Sequence, residues 1–463
     1  MKKLTFLEKF GYGLGDTASN FVWGTMMSFL MFYYTDIFGI AAAAVGTLFL
    51  FARVSDGFVD FMMGAIADRT QTRAGKFRPY LLWMSIPLAV VFVLTFTTPS
   101  VGMTAKIVYA WVTYNLLMVF YTAINIPYSA LSGVMTDDPL DRTSLNSYRM
   151  ALAQVGGFIV NAATLPLIAW FGHGNKTVGY QWTVVLFASI AVLLFLATYA
   201  TTRERIQPPP TQKTNLGQDL KSLFANRHWV IMFLAGITAL TFIIVRCSTV
   251  IYYCNYYLHL DAKATSAFLV MGNIGFIAGA VSTRFLVKAY GKKYSYILTQ
   301  LGLAATCAGF YWLAPEQRLL INALQILNGA VGGLNATLYW AMIADTADFA
   351  EWKFGVRTTG IVFSATTCSQ KVGMGIGGAI TGALLTRFGY VAGAAQTPMA
   401  NHGILLLVSL IPAAGFALIA GVFLLYGLTE PLCHTMREDL TARRNERELA
   451  SPELAGVAAV TGQ

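Results

Sequence analysis

Apolar residues run along this chain in stretches of about 20, separated by short polar breaks, from one end to the other. Twelve stretches stand out: 10–38, 42–67, 79–98, 105–134, 147–171, 180–201, 229–257, 262–287, 294–313, 317–344, 358–387 and 402–428. At about 1.5 Å of rise per residue, each is long enough to cross a hydrocarbon layer about 30 Å thick. The pattern predicts an all-α membrane protein with twelve transmembrane helices.

The polar breaks alternate in charge. Lys2, Lys3 and Lys9 form one cluster, Arg69, Arg73, Lys76 and Arg78 the next, and Arg203, Arg205, Lys213, Lys221 and Arg227 a third. Lys288, Lys292 and Lys293 follow, then Lys353 with Arg357, then Arg437, Arg443, Arg444 and Arg447. The intervening breaks hold single cations: Lys106, Lys176, Lys263, Arg318 and Arg387. The positive-inside rule puts the clustered side, and both termini, in the cytoplasm.

Composition narrows the class. Hydrophobic residues make up 56% and charged residues 12% of the chain, the latter about half the usual globular share. No separate soluble domain is expected. The net charge of +10 lies in the loops, with no folded basic face to bind nucleic acid. The five cysteines show no CxxC or Cys/His spacing, so they read as small hydrophobes and no metal site is expected. The five histidines fall in no motif and no Ser/His/Asp constellation exists, so an enzyme is not expected. The first apolar stretch is far longer than a signal-peptide core and reads as a retained helix.

Against this apolar background, Asp56 and Asp60 sit four residues apart in FLFARVSDGFVDFMMGAIA, residues 48–66. Positions i and i+4 share a helix face, and Arg53 can join it. Charges inside a membrane helix are costly and by default mark an ion or substrate pathway. Two carboxylates in one apolar site cannot easily both stay ionised without a cation between them. A purely structural charge network with Arg53 is the alternative. Arg246 lies mid-segment in IIVRCSTV, where structural pairing and contact with an anionic substrate both fit. GMGIGG at 373–378 lies inside an apolar helix and reads as small-residue helix packing, not as a phosphate loop.

The polar run 202–228, with three successive prolines, reads as a cytoplasmic linker. It separates an N-terminal six-helix bundle (1–201) from a C-terminal one (229–430), followed by a cytoplasmic tail (431–463). GKFRPY at 75–80 answers GKKYSY at 291–296, and the loop from Asp137 to Arg149 answers Asp345 to Arg357. The offsets of about 216 and 208 residues suggest a duplicated unit. Two such halves facing across a central cavity form the major facilitator architecture.

FGYGLGD at 10–16, YYTDIFG at 33–39, ARxxDxxxD at 52–60, ADRTQTRAGKFRPY at 67–80, NIPY at 125–128 and ADTADFAEWKFGVR at 344–357 resemble the glycoside–pentoside–hexuronide:cation symporters. Among them the chain is most similar to bacterial carriers of xylosides and glucuronides. The resemblance implies symport of a sugar with H⁺ or Na⁺, no other cofactor, and a multi-pass monomer among the lipids of a bacterial inner membrane. It implies a cation site at Asp56, Asp60, Asn125 and Thr367. It implies sugar contacts from Asp16, Tyr121, Asn125, Arg149 and Lys371, with Lys371 facing the aspartates across the cavity. Lys371 or Arg53 would compensate the empty cation site.

Two departures stand out. A well-studied member of the family carries an aspartate where this chain has Asn125, and a tryptophan platform where it has Ser129. The missing carboxylate favours H⁺ over Na⁺, and the missing platform argues against a galactoside. Trp340, Trp23 and Trp111 are candidates to replace the platform, Trp340 first. Asp345, Asp348 and Glu351, with Arg142 and Arg357, are expected to form a cytoplasmic gate. A lipid flippase and a facilitative sugar uniporter of the same fold remain as alternatives.

Overall fold

The computed structural model describes residues 3–136, 138–205, 223–354 and 359–449. Among these residues the chain is helical between short turns. The first half comprises α1 (Phe6–Thr25), continued by π-helical turns at Met26–Leu30 and Tyr33–Ile37, then α2 (Ala42–Arg69), α3 (Arg78–Trp83), α4 (Ser85–Thr95), α5 (Met103–Met135), α6 (Pro139–Gly172) and α7 (Lys176–Thr201). The second half comprises α8 (Arg227–Tyr252) with a π-helical turn at Tyr253–Tyr257, α9 (Ala262–Trp312), α10 (Arg318–Phe354), α11 (Thr359–Arg387), α12 (Pro398–Val408) and α13 (Leu410–Phe423). A last helix, α14 (Glu430–Leu449), follows. It occupies the start of the segment expected to be a tail.

Helices α3 and α4 together make one span, as do α12 and α13, and α9 holds two spans that meet at Gly291 (φ 70°). Twelve spans result, in the order and close to the positions that hydropathy predicts. Most of the expected linker lies outside the described residues.

The helices are built for lipid, with apolar side chains outward. On α2, Val54, Phe58, Met62 and Ile66 are exposed at four-residue intervals. Arg53 and Asp56, on the opposite face, are buried. That inversion of the soluble pattern is what places charge at the protein's centre.

The duplication is legible in the backbone. Gly75 (φ 112°) and Gly291 (φ 70°) turn the chain at matching points of the two GK motifs. Both φ values lie where glycine carries no Cβ penalty. The end of α1 repeats at the end of α8 with an offset of 220 residues. The amides of Phe38 and Ile40 donate to the carbonyls of Tyr33 (2.8 Å) and Tyr34 (2.9 Å); those of Leu258 and Leu260 donate to Tyr253 (2.9 Å) and Cys254 (2.9 Å). Gly39 (φ 88°) and His259 (φ 50°) follow the two turns. Lys106 donates to the Phe38 carbonyl at 3.1 Å, and Arg318 donates to the matching Leu258 carbonyl. Two of the isolated cations of the weakly charged loops thus neutralise matching helix ends.

The halves meet along α2 with α11, α6 with α9, and the end of α1 with α8. Helix α11 is wedged between α2 and α8 through its glycines. A methyl group on Gly382 would fall 2.2 Å from the Ala42 carbonyl oxygen, and one on Gly373 would fall 2.3 Å from that of Ile237. GMGIGG is therefore a packing stripe, as its setting implies.

Replacing Gly382 by valine should force α2 and α11 apart and cost about 1–3 kcal/mol, the usual penalty of overpacking. Gly421, with nothing within 4 Å of an added methyl, is the control. Thermal unfolding of the purified variants in one detergent checks this. An equal melting temperature for G382V and G421V would contradict the close approach.

Candidate functional site

Four charges converge where α2 faces α11. Asp56 and Asp60 project from α2, and Lys371 reaches them from α11 of the other half. Its ammonium lies 3.0 Å from Asp56 and donates a hydrogen bond to Asp60. Thr122 on α5 donates to both carboxylates, at 3.0 Å and 3.2 Å. Arg53, one turn before Asp56, approaches it at 3.6 Å. Two negative and two positive charges make the cluster neutral. Arg53, Asp56 and Lys371 are largely shielded from solvent, whereas Asp60 keeps a partly open side chain.

The cluster continues through aromatic rings. The Arg53 guanidinium lies 4.6 Å from the centre of the Trp23 ring, a cation–π distance. Trp23 stacks on Tyr121, with ring centres 5.1 Å apart. Close by in sequence on α1, Asp16 accepts a 2.5 Å hydrogen bond from the Arg149 Nε of α6. Arg149 also lies over the Tyr128 ring at 5.4 Å. Tyr128 and Tyr12 lock α5 to α1 by donating to each other's carbonyls, at 2.7 Å and 3.2 Å.

The structure thus unites Arg53, Asp56, Asp60 and Lys371, and separately Asp16 and Arg149. Tyr121 joins the first group through Trp23. Other expected residues make different contacts. The amide of Asn125 accepts from Ser19 at 2.9 Å and donates to the Tyr121 carbonyl at 3.0 Å, with no bond to the aspartates. Thr367 donates to the Phe363 carbonyl of its own helix, and its side chain is exposed. The hydroxyl that reaches both aspartates is that of Thr122. Trp340 stacks on Phe363 and lines a cavity in the second half, whereas Trp111 packs against Phe51. Trp23, committed to Arg53 and Tyr121, is part of the charge cluster more than a free platform.

Of the expected gate, Asp345 pairs with a lysine of a neighbouring loop. Lys292, from α9 of the same half, holds that carboxylate at 2.6 Å. The pair ties two neighbouring helices together. Lys9–Asp141 (2.7 Å) and Arg205–Glu8 (2.5 Å) do the same in the first half. Arg142 donates to the Thr136 carbonyl at 3.0 Å. Asp348 and Glu351 follow Asp345 along α10, and Arg357 lies outside the described residues.

A closure between the halves is built at the opposite face, on a carboxylate that sequence reasoning passed over. Asp36, at the end of α1, accepts hydrogen bonds from Tyr256, Tyr390 (2.5 Å) and Thr35 (2.6 Å). Thr35 and Tyr252 share a further hydrogen bond of 2.7 Å. Tyr256 also accepts from the Gly393 amide at 3.2 Å, and the Ala43 amide donates to Thr386 at 3.1 Å. Asp36 and Tyr256 occupy matching positions of the two repeats, 220 residues apart. The signal was present in that alignment: one unit carries an acid where the other carries a phenol.

The family model described as MFS/sugar transport protein matches residues 11–430. The chain is 35% identical over 457 residues to the inner membrane symporter YicJ of Escherichia coli (strain K12), covering 97% of this chain and 98% of that one. It is 37% identical over 427 residues to the isoprimeverose transporter of Lactiplantibacillus pentosus, covering 90% of this chain and 88% of the relative. A crystal structure of a D-xylose-proton symporter has the same fold, with a TM-score of 0.65 at 14% identity over 91% of this chain and 97% of that one.

Removing the Asp36 carboxylate should loosen the closed face. A hydrogen bond to a charged group contributes about 1.5–3 kcal/mol, so D36A should raise the open population at that face at least about tenfold. The readout is labelling of Ser28→Cys by a membrane-impermeant maleimide applied from that side, with the five native cysteines replaced. Y256F should give a smaller rise of the same sign. An unchanged labelling rate in D36A would move the closure elsewhere.

Proposed function

The chain belongs to the MFS/sugar transport protein family, among its glycoside–pentoside–hexuronide:cation symporters, and on that premise we propose that it couples H⁺ entry to uptake of a glycoside. It is a transporter and not an enzyme. The observation that carries the coupling is the pair of first-half aspartates held by a second-half lysine. The Lys371 ammonium stands where a transported cation would bind.

The mechanism follows from charge balance. With the site empty, Lys371 and Arg53 neutralise the two carboxylates. A proton on Asp60, the more open of the two, leaves the cluster with a surplus positive charge. The hold of Lys371 on α2 weakens, and with it the seam between α2 and α11. Asp16 and Arg149 form a second neutral pair, which sugar hydroxyls can enter by replacing one hydrogen bond with two. Tyr121 and Trp23 lie between Arg53 and Asn125, so ordering by sugar and relief by the cation act on one stretch of α1 and α5. Affinity coupling of this kind is reciprocal.

The donor set favours H⁺. Among the described residues the aspartates have one neutral side-chain oxygen within hydrogen-bond reach, that of Thr122, while the Asn125 amide is spent elsewhere. A proton needs one carboxylate oxygen, whereas Na⁺ needs a shell of them. In this reading both termini lie in the cytoplasm of a bacterium, the Asp36 closure faces outward, and the molecule works as a monomer that here stands closed to the outside.

D56N and D60N should each abolish gradient-driven accumulation in membrane vesicles while sugar exchange partly survives, because the sugar contacts lie elsewhere. Full uphill transport by both variants would defeat the assignment. In addition, sugar given to de-energised vesicles should make the medium more alkaline without sodium. A strict sodium requirement with no pH change would overturn the choice of ion.

A further inference from the structure

In the described part of the molecule a further enclosed space lies away from the aspartates. It is a cavity of about 430 Å³ in the second half, among α8, α9, α10 and α11, and Ser28 and Asn161 of the first half close one wall. Its size falls in the range of small-ligand pockets.

Its lining is rich in hydrogen-bond donors. Arg246, Asn273, Gln325, Asn328, Asn335 and Gln370 all face it, and no Asp or Glu does. Arg246 is 8% exposed. One of its guanidinium nitrogens donates to Gln325 at 2.8 Å, and the group lies 5.0 Å from the Phe310 ring centre. Its Nε has no partner, and neither do Asn273 Nδ2 and the Tyr296 hydroxyl on the same wall. The second half therefore buries a full positive charge held by an amide, a ring and the Cys307 sulfur, with no carboxylate among the described lining residues, beside further unused donors.

Such a charge is costly unless something negative reaches it. In the first half every buried cation of the cluster has its carboxylate. Leaving Arg246 without one makes sense if the anion arrives with the substrate. We propose that this cavity is a subsite for an oxyanion carried by the transported glycoside, with Arg246 as its counter-charge and Asn273 and Tyr296 as further donors. Trp340 at the wall offers the sugar an apolar face. The inference rests on the transport reading above and narrows its substrate to acidic glycosides; a carboxylate and a sulfonate would both satisfy the donors.

The test measures uptake of a neutral methyl xyloside, a methyl glucuronide and a sulfonated methyl glucoside by wild-type, R246Q and R246K vesicles. The wild type should prefer one or both acidic sugars. R246Q should lose about tenfold to a hundredfold in apparent affinity for them, the worth of one charged hydrogen bond, with the neutral sugar changed less than about twofold. R246K should recover part of the loss. The carboxylate and sulfonate arms identify which oxyanion fits. Melting temperature separates a structural role: equal loss for acidic and neutral sugars together with a lower melting temperature overturns the subsite. Competition on the wild type needs no variant: acidic sugars that fail to displace the neutral one also overturn it. Failure of all three sugars to accumulate would instead count against the transport reading itself.

Discussion

The interaction on which the rest depends is the grip of Lys371 on Asp56 and Asp60. Inside a membrane protein an unpaired charge costs several kcal/mol after relaxation. Neither half can neutralise its own: two acids and an arginine lie on α2, and the balancing ammonium is on α11. The halves are therefore joined by electrostatic need as well as by shape. The glycine stripe of α11 lets the helices approach closely enough for a lysine to span the gap. Packing and charge make one device, and whatever alters the charge alters the seam.

The duplicated architecture explains why such a device can switch. The two units share backbone turns, positive-φ residues and cation-capped helix ends. Where matching positions meet across the pseudo-symmetry axis, identical side chains would repeat the same chemistry. The chain breaks the symmetry instead, with Asp36 in one unit and Tyr256 in the other. A carboxylate facing phenols bonds them without needing a second charge. That closure stands on neutral donors, and its strength is independent of the aspartate pair. One end thus has a fixed affinity between halves, while the centre has an affinity that follows occupancy. Alternating access requires such a division: a population of two states is shifted only by what binds them unequally.

The twelve spans were legible because lipid makes hydropathy nearly sufficient, and Arg53, Asp56 and Asp60 were legible because charge in an apolar run is rare and helical spacing fixes its face. Lys371 came from resemblance, and spacing could not have supplied it. What stayed hidden depends on contacts between distant segments. Thr122 is an ordinary helix threonine until α5 is laid beside α2. The contacts of Asn125, with Ser19 of α1 and the Tyr121 carbonyl, were likewise invisible in the sequence. Asp345 was expected to pair with a basic residue of a neighbouring loop, and Lys292 of the same half holds it at 2.6 Å.

The two halves also divide the chemistry. In the first, each buried cation of the site faces a carboxylate, so its charges are poised for exchange: a proton or a hydroxyl group can enter only by displacing something. In the second, the cavity holds a buried guanidinium with no carboxylate among the described lining residues, poised for addition. A ligand touching both walls meets opposite demands, since one side must give up an internal bond and the other gains a first one. The exchanged bonds nearly cancel, so they set selectivity and coupling more than affinity. The added bonds do not cancel, so affinity concentrates where donors wait unpaired. On the proposed reading, a carrier that must release its cargo benefits from that split, because the part that binds hard lies in a different half from the part that responds to the ion.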